Sequence, residues 1–190
     1  AEHVALDLVD VDPSEIIQDC LTVVRDLATA QGIEILSPRS GGSNLVVRAD
    51  ALRARQILLT LFTNAVRYNH TGGHVTIAVG NGTDGTIRIS IADTGIGIPE
   101  VDRPLVFEAF ERGRETVDVE GAGIGLTVAR HLAKSMGGEI GFESKKGDGT
   151  TFWLELPAAD LASPESGPGS GPESGPGSMN GENEDTVKTD

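Results

Sequence analysis

Apolar residues recur with helical period at Ile16, Ile17, Cys20, Leu21, Val24, Leu27 and Ala28. Spacings of three and four put them on one stripe of a helix that faces a core. Asp12-Pro13-Ser14-Glu15 supplies the start of that helix. Asp12 is a capping side chain, Pro13 suits the first helical position, and Glu15 lies at the positive end of the helix dipole. Gly32 closes it. Two strand-like runs follow, at about 33–36 and 45–48, around the loop SPRSGGS. A second stripe, Leu58, Leu61, Phe62, Ala65 and Val66, predicts a helix over about 50–68. Residues 75–79 read as a strand. Residues 86–91 alternate apolar and polar with period two, the pattern of a strand with one buried face. Asn81-Gly82 and Asp84-Gly85, between these strands, are turn signals. A third helix is predicted over 125–136, with Leu126, Val128, Ala129, Leu132 and Ala133 inward. Residues 139–144 and 151–156 make a closing hairpin around Lys146-Gly147-Asp148-Gly149. The sum is an α+β sandwich, a sheet with helices on one face.

The pattern stops after Pro157. Residues 163–178 contain only Ser, Pro, Glu and Gly, and the heptapeptide PESGPGS occurs there twice. Such a segment has no apolar side chain to bury, so nothing offsets the entropy of ordering it. Residues 158–190 are read as a disordered tail or linker, and GPGS before Met179 also resembles a tag or fusion junction. This division leaves 1–157 as the folding unit. The chain has 15 Lys+Arg against 29 Asp+Glu, a net charge of −14. That acidity argues against non-specific nucleic-acid binding, which needs clustered basic residues. No apolar run is long enough for a membrane span, so no membrane contact by this segment is expected. The single cysteine, Cys20, excludes an internal disulfide and reads as a buried core thiol. A cytoplasmic location follows, with any membrane anchor belonging to a longer parent chain.

Three segments carry the chemistry. Asn64 lies in mid-helix, where asparagine is a poor helix former; taken alone it reads as an ordinary surface residue. Asp93-Thr94-Gly95-Ile96-Gly97-Ile98-Pro99 puts a carboxylate at a strand end, where glycines let backbone approach a ligand. Such a carboxylate can accept a hydrogen bond from an amino group, though an ordinary strand-end turn has the same pattern. Gly121-Ala122-Gly123-Ile124-Gly125-Leu126 leads into the third helix, exposing backbone N–H groups at the positive dipole end, an arrangement suited to phosphate. It is neither a Walker A loop nor a dinucleotide fingerprint.

In this order the segments resemble the catalytic ATP-binding domain of sensor histidine kinases. That family belongs to the GHKL ATPases, with DNA gyrase, the ninety-kilodalton heat-shock chaperone and MutL. RQILLTLFTNAVRYN resembles the asparagine box, DTGIGIP the first glycine box, FEAF the phenylalanine box and GAGIGL the second glycine box; GDGTTFWLELP looks like the family's last strands. The resemblance implies the Bergerat fold, a two-layer sandwich whose mixed, mostly antiparallel sheet carries about three helices on one face. It implies ATP and Mg²⁺ as cofactors. Asn64 then matches the magnesium ligand, and Arg67 and Tyr68 the basic–aromatic pair near the nucleotide. Asp93 matches the carboxylate that reads the adenine amino group, with Gly95, Gly97 and Ile98 shaping the pocket. Phe107 and Phe110 match aromatics at the ATP lid, about 98–122, and Arg112 a lid arginine near the γ-phosphate. Gly121, Ala122, Gly123, Ile124, Gly125 and Leu126 match the segment over the phosphates, and Thr151 joins the pocket from the closing strands. Asn64, Arg67 and Arg112 would carry the catalytic role.

Thr60 stands where the family usually has a second asparagine and its hydrolysing members a glutamate base. A hydroxyl cannot serve as that base near neutral pH, which argues against a vigorous ATPase. None of His3, His70, His74 and His131 sits in a phosphoacceptor motif. His131, beside Arg130, reads as structural. The acceptor histidine is therefore expected on a separate dimerisation domain, with a response regulator downstream, and this segment is expected to be monomeric. Two rival readings share the motifs: an ATP-binding sensing module without transfer, and a serine kinase of the anti-sigma type.

Overall fold

The computed structural model describes residues 5–36, 39–40, 45–108 and 124–159. Strand β1 (Val9–Val11) leads into helix α1 (Pro13–Ala30). Asp12 caps that helix as predicted, accepting the Ser14 N–H at 2.7 Å. At its other end Ile33 N–H reaches the Ala28 carbonyl at 2.9 Å and Gly32 N–H the Thr29 carbonyl at 3.0 Å, the paired bonds of a Schellman stop. Short strands β2 (Glu34–Ile35), β3 (Arg39–Ser40) and β4 (Val47–Ala49) follow. Helix α2 (Ala51–Arg67) starts at Asp50, whose side chain accepts the Arg53 N–H at 3.1 Å. Strands β5 (His74–Asn81) and β6 (Thr86–Asp93), a 3₁₀ helix (Glu100–Leu105), helix α3 (Gly125–Ser135) and strands β7 (Glu139–Lys145) and β8 (Gly149–Pro157) complete the order.

One sheet runs β2-β5-β6-β8-β7, with β3 also on β5. The β2 and β3 pairings are parallel and the others antiparallel. Strands β1 and β4 form a separate antiparallel ribbon. The mixed, mostly antiparallel sheet predicted above is thus present, and its core lies on one face. Ile87, Ile89 and Ile91 of β6 and Phe152, Leu154 and Leu156 of β8 are buried there. Helix α2 lies over them with Ile57, Leu58, Leu61, Phe62, Ala65 and Val66 all at most 1% exposed. Each such large side chain contributes about 1.5–3 kcal/mol by leaving water.

Helix α3 departs from its predicted face. Ala129 and Ala133 are buried and Leu126 and Leu132 partly so, but Val128 is 41% exposed. Two small residues at the contact let α3 lie close to its neighbours, and Val128 falls off that narrow stripe. The last described residues, Ala158 and Ala159, are tied to the body of the domain. Ala158 N–H reaches the Gly85 carbonyl at 3.0 Å, and Ala159 N–H the Val46 carbonyl at 2.7 Å. The serine–proline–glycine repeat lies outside the described residues.

Cys20 is fully buried on α1, as its place on the apolar stripe predicts. Burial pushes its thiol up to about 11. On the opposite face of the sheet Glu155, although only 5% exposed, is charged and paired. It accepts from Arg88 Nε at 2.7 Å and from the Thr83 hydroxyl at 3.0 Å, and the Arg88 guanidinium lies 4.4 Å from the Trp153 ring centre. Burial pushes the Glu155 carboxyl up, but the bonds from Arg88 and Thr83 and the arginine charge outweigh it, leaving it below the ordinary 4.5. A depressed value means the folded state gains from the ionised form. That gain is complete above the ordinary glutamate range and is lost as the pH falls through the lowered value. Glu155→Gln is expected to cost about 1–3 kcal/mol at pH 7. Urea titrations at several pH values should show a flatter acid-side loss of stability in this variant than in the wild type.

Candidate functional site

Strand β6 ends on Asp93, and its alternation puts that carboxylate on the buried face with Ile87, Ile89 and Ile91. Asp93 is 8% exposed. Its Oδ1 accepts two backbone N–H groups, from Gly95 at 2.9 Å and from Thr150 at 3.2 Å. Oδ2 has no hydrogen-bond partner among the described residues. Burial pushes the carboxyl above 3.8, and the two N–H donors pull it only part of the way back. One oxygen is therefore fixed by the scaffold, and the other is a shielded acceptor available to a ligand.

The loop after Asp93 docks on the end of α2. Ile96 N–H reaches the Tyr68 carbonyl at 3.0 Å. A Cβ on Gly95 would strike that carbonyl, and one on Gly97, at φ +66°, would strike the carbonyl of Lys145. Only glycine permits both approaches. Thr94 and Asn69 lock the same junction. The Thr94 hydroxyl donates to Asn69 Oδ1 at 3.2 Å and accepts His74 N–H at 3.0 Å, while Asn69 Nδ2 donates to the His74 carbonyl at 3.1 Å. Neither residue stood out in the sequence. The only signals were their places, Asn69 directly after the helix and Thr94 inside the glycine motif.

Asn64 is half-buried on α2, one turn before Tyr68, which caps the helix and is also half-buried. No described residue bonds the Asn64 side chain. Arg67 is exposed at the last helical position. Thr60, one turn earlier, gives its hydroxyl proton to the Gln56 carbonyl at 3.0 Å. Its methyl carbon lies 3.2 Å from where a Cβ on Gly125 would stand, so the start of α3 reaches α2 beside Asn64. Helices α1 and α2 both carry aspartate caps, whereas no side chain among the described residues caps α3 and its first turn holds no acid. Among the described residues, then, no capping side chain or first-turn acid meets the positive dipole at the start of α3. Ile124 is 40% exposed at that end, and Leu126 packs against the core.

The base of the expected lid is anchored. Ile98 packs partly on the core, and its N–H reaches Ser144 Oγ at 2.7 Å. Phe107 accepts the Thr127 hydroxyl on its carbonyl at 2.9 Å. Its ring centre lies 5.8 Å from that of Phe142 and 5.0 Å from the Arg130 guanidinium carbon. Phe110, Arg112, Gly121, Ala122 and Gly123 lie outside the described residues. Thr151 is not in the pocket. It pairs with Ala92 on the sheet face away from the helices, and Thr150 stands opposite Asp93. The sequence pointed one residue too far, and a slip of one in a strand changes the face. His70, His74 and His131 are all exposed, so the structural role expected for His131 has no burial behind it, and His3 lies outside the described residues. No group of three His, Cys, Asp or Glu side chains suited to a metal occurs among the described residues.

A buried carboxylate at a strand end, an amide-bearing helix beside it and a helix start without a side-chain cap among the described residues make up the candidate site. The chain belongs to the histidine kinase-, DNA gyrase B- and HSP90-like ATPases, whose model matches residues 49–160, and it is a catalytic domain of the protein-histidine kinase type. It is 34% identical to the sensor protein GacS of Pseudomonas syringae pv. syringae, over 87% of this chain and 19% of that protein. Full-length ShkA, solved in complex with AMPPNP, is 34% identical with a TM-score of 0.72, covering 84% of this chain and 33% of ShkA. The mycobacterial sensor histidine kinase MprB is 27% identical with a TM-score of 0.70, over 79% of this chain and 98% of that structure. The chain spans between 16% and 37% of the length of GacS and other curated relatives it matches.

The raised Asp93 carboxyl has a consequence for stability. In the folded state its ionised form is disfavoured, so ionisation above the carboxylate range opposes folding. Asp93→Asn keeps an oxygen for Gly95 and Thr150 and removes the charge. Its thermal midpoint at pH 7 should lie at or above that of the wild type. The difference should close as the pH falls through the range where Asp93 takes up its proton.

Proposed function

We propose that this domain binds Mg·ATP and delivers the γ-phosphoryl group to a histidine on a dimerisation domain outside this chain, with a response regulator as the later acceptor. The observation that carries the reading is Asp93: a buried carboxylate with one oxygen held by two backbone N–H groups and the other without a partner among the described residues. Such an oxygen suits an amino-group donor, as on adenine. Gly95 keeps the approach open and Ile98 walls it.

The donor set also fits the metal. Mg²⁺ held chiefly by phosphate oxygens and water needs few protein ligands, and the Asn64 amide, which no described residue bonds, would be one such ligand. When bound, the ion would neutralise charge on the phosphates. The uncapped first turn of α3, from Gly125, supplies N–H groups to the same anion, and Gly121, Ala122, Gly123 and Ile124 lead into it. Arg67, Tyr68 and Arg112 are assigned to the phosphate and nucleotide side, and Phe110 to the lid. Thr60 has its hydroxyl committed to its own helix and is no base, which favours transfer to another side chain over hydrolysis. Phosphoryl transfer asks mainly for positioning and charge compensation, and these groups provide both.

Calorimetric titration with ATP tests the reading. Asp93→Asn is expected to weaken ATP by about 10- to 100-fold, the loss of a hydrogen bond to a charged group. Asn64→Ala should remove the magnesium dependence. Mixed with a dimerisation domain of a related kinase, the wild type should produce an acid-labile phosphohistidine. ATP binding without any transfer would instead mark a sensing module, and an acid-stable phosphoprotein a serine kinase.

A further inference from the structure

We propose that Ser144 is a positioning residue that sets the base specificity of the site, by fixing the proton of the Thr150 hydroxyl. It acts so that the edge beside Asp93 presents acceptors only and selects an amino group over a carbonyl. The proposal rests on the nucleotide reading above and deepens it to one residue that touches no ligand.

Ser144, near the end of β7, pairs directly with Thr150 of β8. Its hydroxyl oxygen meets three groups: Ile98 N at 2.7 Å, the Gly149 carbonyl oxygen at 3.0 Å and Thr150 Oγ1 at 2.8 Å. A serine hydroxyl has one proton and two lone pairs. The Ile98 N–H can only donate, so it takes one lone pair. The Gly149 carbonyl can only accept, so it takes the proton. The remaining lone pair of Ser144 must receive the proton of Thr150. In the reverse arrangement the serine and Gly149 oxygens would face each other at 3.0 Å with no proton between them. Thr150 is therefore left with lone pairs alone.

Thr150 is 6% exposed, stands in register with Asp93 on the same sheet face, and its own N–H holds Asp93 Oδ1. The free oxygen of the Asp93 carboxylate is likewise an acceptor. Two acceptors at one register position on one sheet face favour a ligand that donates there and repel one that brings a carbonyl oxygen. Without Ser144 the Thr150 proton is free to turn and meet that carbonyl. The Ser144 backbone carbonyl adds a mechanical tie, accepting Arg103 at 2.6 Å from the 3₁₀ helix, so the same residue holds the base of the lid.

The test compares ATP with inosine triphosphate, which carries a carbonyl where adenine has its amino group. Binding of both is measured for the wild type, Ser144→Ala, Ser144→Thr and Thr150→Val, with thermal midpoints recorded alongside. The wild type should prefer ATP, and Ser144→Ala should reduce the preference by about tenfold, the worth of one hydrogen bond. Ser144→Thr, which keeps the hydroxyl, should restore it. In a Thr150→Val background Ser144→Ala should change nothing further. If Ser144→Ala does not fold, Ser144→Cys takes its place, since a thiol is a weak donor and acceptor. An unchanged preference, or equal losses for both nucleotides, overturns the proposal while leaving the nucleotide reading intact. A folded wild type that binds neither nucleotide overturns both.

Discussion

The docking of the β6 exit on the end of α2 is the constraint on which the rest of the molecule depends. Helix α2 is the middle of the helical layer and the cover of the central strands, so its axis is fixed by a full stripe of buried side chains. The carbonyl of its capping residue, not a side chain of the helix, receives the loop that follows Asp93. Tyr68 offers the carbonyl, Gly95 and Ile96 come to it, and Asn69 and Thr94 close the seam. A carboxylate can stay buried at that point because the backbone geometry guarantees it two N–H donors. Core packing and the geometry of the candidate site are thus one arrangement viewed from two sides.

The strong elements were readable because they bury much per residue. The stripes of α1 and α2 and the alternation of β6 are sustained over many turns or pairs, so chance patterns do not mimic them. What escaped is short or local. Strand β1 and strand β3 hold three and two residues, too few for any period to show. Val128 sits next to a true core stripe made mainly of alanines, whose weak apolar signal let a neighbouring valine appear inward. Thr150 and Thr151 are chemically identical in the sequence, and only the register with Asp93 tells them apart.

The site shows the same division. Asp93, Gly95 and Asn64 drew attention as candidates because a charged, a flexible and a helix-disfavouring residue are each out of place in an ordinary fold. Asn69, Thr94 and Ser144 were not, because small polar residues at strand ends and turns are commonplace. Their importance lies in whom they bond, and each bonds across at least five residues of sequence to a group that local pattern does not reveal. Thr60 belongs to both groups. Its departure from the family pattern is plain in the sequence, whereas its bond to Gln56 and its contact with the start of α3 are properties of the fold.

The buried thiol on α1 gives the protein an internal clock. It is the one cysteine in the chain, so any reagent that modifies sulfur reports a single place. Shut beneath α2 and with its ionisation suppressed, that sulfur is silent while the helices stay together. Its rate of labelling therefore counts how often the helical layer lifts from its neighbours, and motions of the loops around Asp93 pass unrecorded. Opening of the scaffold can therefore be timed apart from any motion of the site, without adding a probe.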